Sequence, residues 1–442
     1  MKSKMQEVDL SELSSLIKRG ITPKYVETDG ICVLNQKCIR DQKVSFEPAR
    51  ETSTVKKIME EKLLQDYDVL VNSTGVGTLG RVAQIGTVEK QITVDSHVTI
   101  VRGNQAKVDL VYFGYLVKNK QKAIEALAEG STGQTELSRT LLGQIKVAVH
   151  KDIITQKKIA HILSTLDDKI ELNRNMNQTL EEMAQALFKS WFVDFDPVHA
   201  KAGCKNDEEL ERAAKELGIS KEVLELFPNE FVESEMGMIP KGWKHDTLSN
   251  HISVTKGKSY KSSELEESTT ALVTLKSFLR GGGYRTDGIK PYTGKYKDEQ
   301  VIQPGELIMA YTDVTQAAEV IGKPAIVLAN EAIDKLVASL DIGIVRTKTQ
   351  AVNIMFLYQL FKTKRFQGYI LGHTSGTTVL HLAKGWLDGY SILLPSQDIM
   401  DRFNQLVTPL FSNMRLNIEE IRSLQKIRDT LLPKLLSGEL DV

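Results

Sequence analysis

Two distant stretches of the chain share one rhythm of apolar and polar positions. From Ile159 the rhythm advances by alternating steps of four and three, through Leu163, Leu166, Ile170, Asn173, Asn177, Leu180, Ala184, Leu187 and Trp191. Shifted by 244 positions, the same steps fall on Phe403, Val407, Leu410, Met414, Asn417, Ile421, Leu424, Arg428, Leu431 and Leu435. A seam kept in heptad register over such lengths predicts two long helices packed on each other. A helix of about 40 residues spans roughly 60 Å. Asn173 and Asn417 share one seam position, and a buried Asn in a seam fixes register at some cost in stability. Pro409 is expected to kink or restart the second helix. Because the two seams flank an intervening globular segment, antiparallel pairing is the simplest closure.

Outside the seams the pattern is shorter and mixed. Asp68–Asn72, Gln91–Val94, Glu306–Met309 and Ala325–Leu328 read as strands, while Val111–Ala128 and Asn353–Leu371 read as helices. Strands and helices do not alternate regularly, so an irregular α+β fold is expected rather than a doubly wound sheet. The chain also echoes itself at a lag of about 240 residues. Gly20 in LIKRGITPKY answers Gly257 in SVTKGKSYKS, Arg40 answers Arg280, IVR at 100–102 answers IVR at 344–346, and YLVKNK at 115–120 answers QLFKTK at 359–364. The stretch 130–138 likewise answers 373–381. The expected organisation is a globular domain over 1–150, a long helix over 151–193, a connector over 194–240 read as a surface excursion, a related domain over 241–396, and a second long helix over 397–442.

Composition narrows the function. The 442 residues carry 57 Lys+Arg and 57 Asp+Glu, so the formal net charge is zero. Partition changes that picture: residues 1–150 carry +3, 151–240 carry −7, 241–398 carry +4, and 399–442 are neutral. Two mildly basic segments that tolerate a polyanion are separated by an acidic one. Cys32, Cys38 and Cys204 are too few for a disulfide framework or a tetrahedral zinc site. No run approaches the roughly 20 apolar residues of a membrane span, and the opening MKSKMQEVDLSEL lacks the apolar core of a signal peptide. A cytoplasmic protein is expected.

Catalytic motifs are sparse. Gly75-Val76-Gly77-Thr78-Leu79-Gly80 spells G-x-G-x-x-G, but the residues that follow are β-branched and broken by Gly86, where a dinucleotide fold needs a helix. A tight glycine turn near a ligand or DNA backbone fits better. GGGYRTDG at 281–288 lacks the Lys-Ser/Thr pair of a phosphate loop and reads as a flexible turn. DFDP at 194–197 departs from the D-P-P-Y motif of amino-methyltransferases, and His373 and His381 have no ligand-spaced partner. The pattern describes a recognition device, not an active site.

Two variable globular segments, each followed by a repeated long helix, resemble the specificity subunit of type I restriction–modification systems. The residues that carry the resemblance are LSTLDDKIELNRNMNQTLEEMAQALFKSWFVDFDP from Leu163, IRDTLLPKLLSGEL from Ile427, NSTGVGTLGRV from Asn72 and ESEMGMIPKGW from Glu233. Arg428, at the seam position that matches Ala184, departs from the repeat. The resemblance implies a non-catalytic chain of two target recognition domains, each reading half of a split DNA site, with paired helices that set the gap. It implies docking of two modification subunits, which bind S-adenosylmethionine and methylate adenine, and of restriction subunits that use ATP and magnesium. No cofactor is expected on this chain. The alternative is a coiled-coil scaffold that joins proteins without reading DNA.

Gly-rich turns let backbone N–H groups approach phosphate, and hydroxyl, amide and guanidinium side chains reach base edges. The expected contacts in the first domain are Thr74, Gly75, Gly77, Thr78, Arg81, Ser131, Thr132, Gln134 and Arg139, with Lys43 and Arg50 as secondary contacts. In the second domain they are Tyr311, Thr312, Thr315, Gln316, Thr374, Ser375, Thr377 and His381, with Arg280 and Arg285 as secondary contacts.

Overall fold

The computed structural model describes residues 4–55, 57–75, 77–129, 136–235, 237–315, 317–330 and 332–442. The chain divides into two compact units, 1–173 with 418–442 and 174–417. Each unit thus holds one globular segment and a portion of both long helices.

In the first unit, β-branched runs build an antiparallel sheet ordered Ser14–Arg19, Val98–Gly103, Val69–Asn72, Val82–Gln84. A second small sheet pairs Ile92–Val94 in parallel with Ile31–Leu34 and then runs antiparallel through Arg50–Thr52 to Tyr25–Val26. The second unit repeats this plan. Its antiparallel sheet is ordered Ile252–Lys256, Ile342–Thr347, Leu307–Ala310, Pro324–Ile326, and its small sheet pairs Thr270–Val273 in parallel with Lys335–Ala338. An ion pair recurs with the sheets: Arg102 with Asp68 at 2.8 Å, and Arg346 with Glu306 at 2.7 Å. The repeat seen in the sequence is a repeat of α+β topology.

Each expected domain helix is broken in two. Leu110–Asn119 is followed by Gln121–Glu129, and Ile354–Lys362 by Lys364–Gly372. In the second pair Thr363 interrupts the ladder. Its Oγ1 donates to the Leu360 carbonyl at 2.7 Å and accepts from the Phe366 N–H at 3.2 Å. The break lets Phe361 and Phe366 stack at 4.3 Å between centroids, an arrangement a straight helix forbids.

The long helices are Ile153–Phe192, of 40 residues, and Gln397–Ser437, of 41. They pair antiparallel within each unit. In the first unit Ile159 and Leu163 share a core with Leu435 and Leu436, and the Asn173 amide donates to Glu420 at 2.7 Å. In the second, Phe188 and Trp191 pack with Phe403 and Val407, and the Asn417 amide donates to the Asn177 side chain at 2.8 Å. The remaining seam positions, Leu166, Ile170, Leu180, Leu187, Leu410, Met414, Ile421, Leu424 and Leu431, are buried or half-buried. Asn173 and Asn417, which share one seam position in the repeat, therefore do not meet: antiparallel register sets Asn173 against Glu420 and Asn417 against Asn177. Pro409 neither ends nor restarts its helix: it lies on the exposed face, where water can satisfy the carbonyl left without its N–H donor. The departure at Arg428 is answered across the seam by Asp167, bound at 2.7 Å, which also accepts from the Tyr115 hydroxyl at 2.7 Å.

The connector buries more than a surface excursion would. Its helices Asp196–Ala202 and Lys221–Glu225 send Val198 and Val223 into the core of the second unit, where Phe227 meets Trp191 edge-on at 5.0 Å.

Candidate nucleic-acid interface

In the first unit the strand Val69–Asn72 runs into the glycine turn, and a strand, Val82–Gln84, follows it rather than a helix. Gly75, Gly77 and Gly80 have φ of +101°, +74° and +83°, left-handed values that glycine adopts without the strain a side chain would bring. Thr78 Oγ1 donates back to the Thr74 and Gly75 carbonyls, and Arg81 donates to the Gly77 carbonyl at 2.9 Å, so the turn is closed on itself. The turn meets a second segment from far along the chain. Thr74 bridges Glu136, and the Leu137 N–H donates to the Ser73 carbonyl at 2.9 Å. Thr74 Oγ1 lies 2.6 Å from His97 Nδ1. Arg19 closes the same corner by an ion pair with Glu136 and a hydrogen bond to the Leu137 carbonyl. Burial and the nearby Arg139 guanidinium both hold the Arg19 pKa below its ordinary value.

The second unit builds the same junction. Thr312–Asp313 pairs with Leu380–Leu382, which pairs with Thr374–Ser375. The Leu382 N–H donates to the Tyr311 carbonyl at 2.9 Å, as Leu137 does to Ser73. Asp313 organises the loop beyond: it accepts from Thr315 N–H and Oγ1, both at 2.9 Å, and from the Val320 and Ile321 N–H groups. Burial pushes its pKa up, but these four bonds outweigh it and hold the carboxyl below the usual range. Tyr311 is buried and its hydroxyl accepts from the Trp386 indole at 3.0 Å. Burial raises its pKa to about 12, and the bond from Trp386 offsets only some of that rise. This tyrosine is a neutral strut. The loop tip is open, with Val314 69% exposed.

Among the described residues no three His, Cys, Asp or Glu side chains are placed to hold a metal, and no helix is long and apolar enough to cross a membrane. What each junction offers is hydroxyls, tight turns held in shape by their own hydrogen bonds, and cations, a chemistry of recognition.

The family model of the type I restriction modification DNA specificity domain matches residues 3–182. The specificity subunit of the type I restriction enzyme HindI from Haemophilus influenzae is 30% identical over 65% of this chain and 67% of its own length. The chain belongs to the type I restriction enzyme specificity subunits. The MjaIX specificity subunit of Methanocaldococcus jannaschii is 29% identical, over 75% of this chain and 69% of that protein. The crystal structure of the type I restriction–modification S subunit from M. genitalium shares the fold, with a TM-score of 0.54 at 16% identity over 98% of this chain and 96% of that one.

Within this specificity subunit the residues expected at the interface fall into three groups. Thr74, Gly75, Gly77, Thr78 and Arg81 gather in one turn with the Glu136–Arg139 segment beside it, and Tyr311, Thr312 and Thr315 gather with Thr374, Ser375 and His381. Arg280 joins the second group through its ion pair with Glu319, at 3.1 Å, on the loop after Asp313. Thr377 lies in the turn between the strands Thr374–Ser375 and Leu380–Leu382, whose Gly376 has φ of +116°. Lys43, Arg50 and Arg285 stand elsewhere. Lys43 is ion-paired with Glu171 on the first long helix, the Arg50 guanidinium lies 3.5 Å from the centre of the Tyr25 ring, and Arg285 binds Asp287. Ser131, Thr132, Gln134 and Gln316 lie outside the described residues. Sequence reading missed Arg19, His97 and Asp313. Only Arg19 carried a signal, as the basic residue beside the repeated Gly20.

Proposed function

We propose that this subunit reads a split, asymmetric site on double-stranded DNA, one half-site with each unit, and holds two modification subunits and the restriction subunits in a cytoplasmic complex. One observation supports the reading above others: the same two loop segments of the repeat come together in both units, each time as a glycine- or hydroxyl-rich turn flanked by cations. A repeated junction of this kind suits two readers on one spacer, where two weak half-site contacts combine into one selective binding event. S-adenosylmethionine, ATP and magnesium belong in this scheme to the partners, and the chain itself contributes no catalytic group. The long helices set the gap between half-sites and offer the docking surface.

A methylome comparison of cells with and without the system tests the reading. A methylated motif split by a fixed gap is the expected result. A continuous motif overturns the two-reader scheme, and partner binding with no selected DNA sequence favours a scaffold. Arg81→Ala is expected to weaken methylation of the cognate site by the assembled enzyme, by about 1–3 kcal/mol where the arginine reads a guanine. Arg285, bound to Asp287 away from both junctions, is the weaker candidate, and Arg285→Ala tests whether the interface extends that far. Gel shifts check the same variants. Unchanged methylation and binding would remove that arginine from the interface.

A further inference from the structure

Gly20 and Gly257 follow directly on equivalent strands, Ser14–Arg19 and Ile252–Lys256. Two residues later each is followed by a hydroxyl, Thr22 or Ser259, and four residues later by a lysine, Lys24 or Lys261. The backbone holds both segments in the same place. Ile21 bridges Asp95 in parallel, and Lys258 bridges Ser339 in parallel. In the first unit Thr22 and Lys24 open onto a groove of about 350 Å³ that is also lined by Ser53, Lys57, Met59 and Lys62. Lys24 and Lys57 are exposed, and neither has an ion-pair partner among the described residues. Glu61, the acid next to Lys62, is taken by Lys18 at 2.6 Å. Lys62 donates one proton to the Gly20 carbonyl at 2.9 Å. The groove begins at Ile21, two residues past Arg19, which closes the Thr74–Glu136 corner.

We propose that the segment after each of these glycines is a seat for the phosphodiester backbone of nucleic acid, separate from the loops that face the bases. Three lysines and the hydroxyl residues Thr22, Thr52 and Ser53 along one groove match a phosphate and its neighbour, and Ile21, Val55, Ile58 and Met59 supply apolar surface for a deoxyribose. Ser259 and Lys261 form the corresponding seat in the second unit. The buried glycine explains the precision of the placement, since it pins the strand end against the carbonyls of residues 94–95 or 338–339. The inference rests on the reading of this chain as a DNA-binding subunit and adds to it where the sequence-independent contacts lie.

The test uses the full chain assembled with its modification subunits, bound to its methylated-motif duplex and to an unrelated duplex across a range of salt. For Lys24→Ala/Lys57→Ala the expected result is roughly tenfold weaker binding per lysine at about 0.1 M salt, on both duplexes. The slope of log affinity against log salt becomes shallower by about 0.9 per lysine. Lys24→Arg/Lys57→Arg keeps both values near wild type, and Lys261→Ala shows the same loss once. Unchanged affinity and slope in the double alanine variant, with the wild type still selective, overturns the seat and leaves the DNA reading intact. Weakening confined to the cognate duplex also overturns it, because a phosphate contact is blind to sequence. A wild-type assembly without affinity for either duplex overturns the reading itself.

Discussion

Trp191→Ala is expected to destabilise the second unit by about 3–5 kcal/mol, the largest loss from any single truncation in the long helices. Trp191 is 1% exposed, and three rings from three regions of the chain close around it. Phe227 of the connector lies 5.0 Å away, Phe403 of the second long helix 6.0 Å, and its neighbour Phe192 6.1 Å. Removing the indole deletes transfer energy and opens a cavity that these rings do not readily fill, since Phe192 and Phe403 are already held by one another, at 5.0 Å. Trp191→Phe should recover much of the loss. Met183→Ala, on the same helix but 53% exposed, should change stability by no more than about 0.5 kcal/mol. Urea unfolding of the three variants decides the matter. A midpoint for Trp191→Ala as high as that for Met183→Ala would show that the connector and the two helices do not share one core.

What the sequence made legible follows from where its information is periodic. The heptad steps predicted two helices and their pairing, because each seam residue repeats the same constraint and errors average out, and the globular segment between the seams gave the antiparallel direction. Single residues that act against the period were harder. Pro409 breaks the hydrogen-bond ladder on paper, yet which face of the helix it occupies decides the outcome, and that face is exposed. Arg428 looked like a fault in the seam until its partner was known. Asp167 faces it from 261 positions away, and no local pattern joins the two. The candidate site was half legible for the same reason. Residue types suited to phosphate and base edges could be chosen loop by loop, and the repeat doubled the evidence for each. The adjacency of Thr74 to Glu136, and of Thr312 to His381, arises from strand pairing across long excursions. His97 and Asp313 act by holding these loops in shape. Such roles leave no mark in composition or spacing, and a sequence reading that looks for ligand chemistry passes over them.

The repeated glycine is a different case, because its meaning lies in what is missing. A Cβ built on Gly20 would lie 2.0 Å from the Val94 carbonyl oxygen and 2.4 Å from that of Asp95, and on Gly257 it would lie 2.2 Å from those of both Ala338 and Ser339. All four obstacles are main chain. They cannot swing aside, since Val94 and Ala338 are registered in parallel strand pairs with Leu34 and Val273, and the next residues continue the ladder through Asp95 N–H to Leu34 and Ser339 N–H to Val273. The glycines are tied from their own side too, each N–H donating at 3.0 Å to the carbonyl of Val98 or Ile342. Gly20→Ala and Gly257→Ala must therefore push apart strands that are bonded on both sides. Each is expected to cost about 3 kcal/mol, at the upper end for an added methyl in a packed site. Gly86→Ala is the control: nothing lies within 4 Å of its Cβ position and its φ is not left-handed, so thermal unfolding should be nearly unchanged. Equal midpoints for all three variants would mean that the strand ends can separate freely. Because Thr22 and Lys24, or Ser259 and Lys261, ride on the segment that must move, each glycine variant should also weaken the salt-sensitive component of DNA binding, while Gly86→Ala leaves it alone.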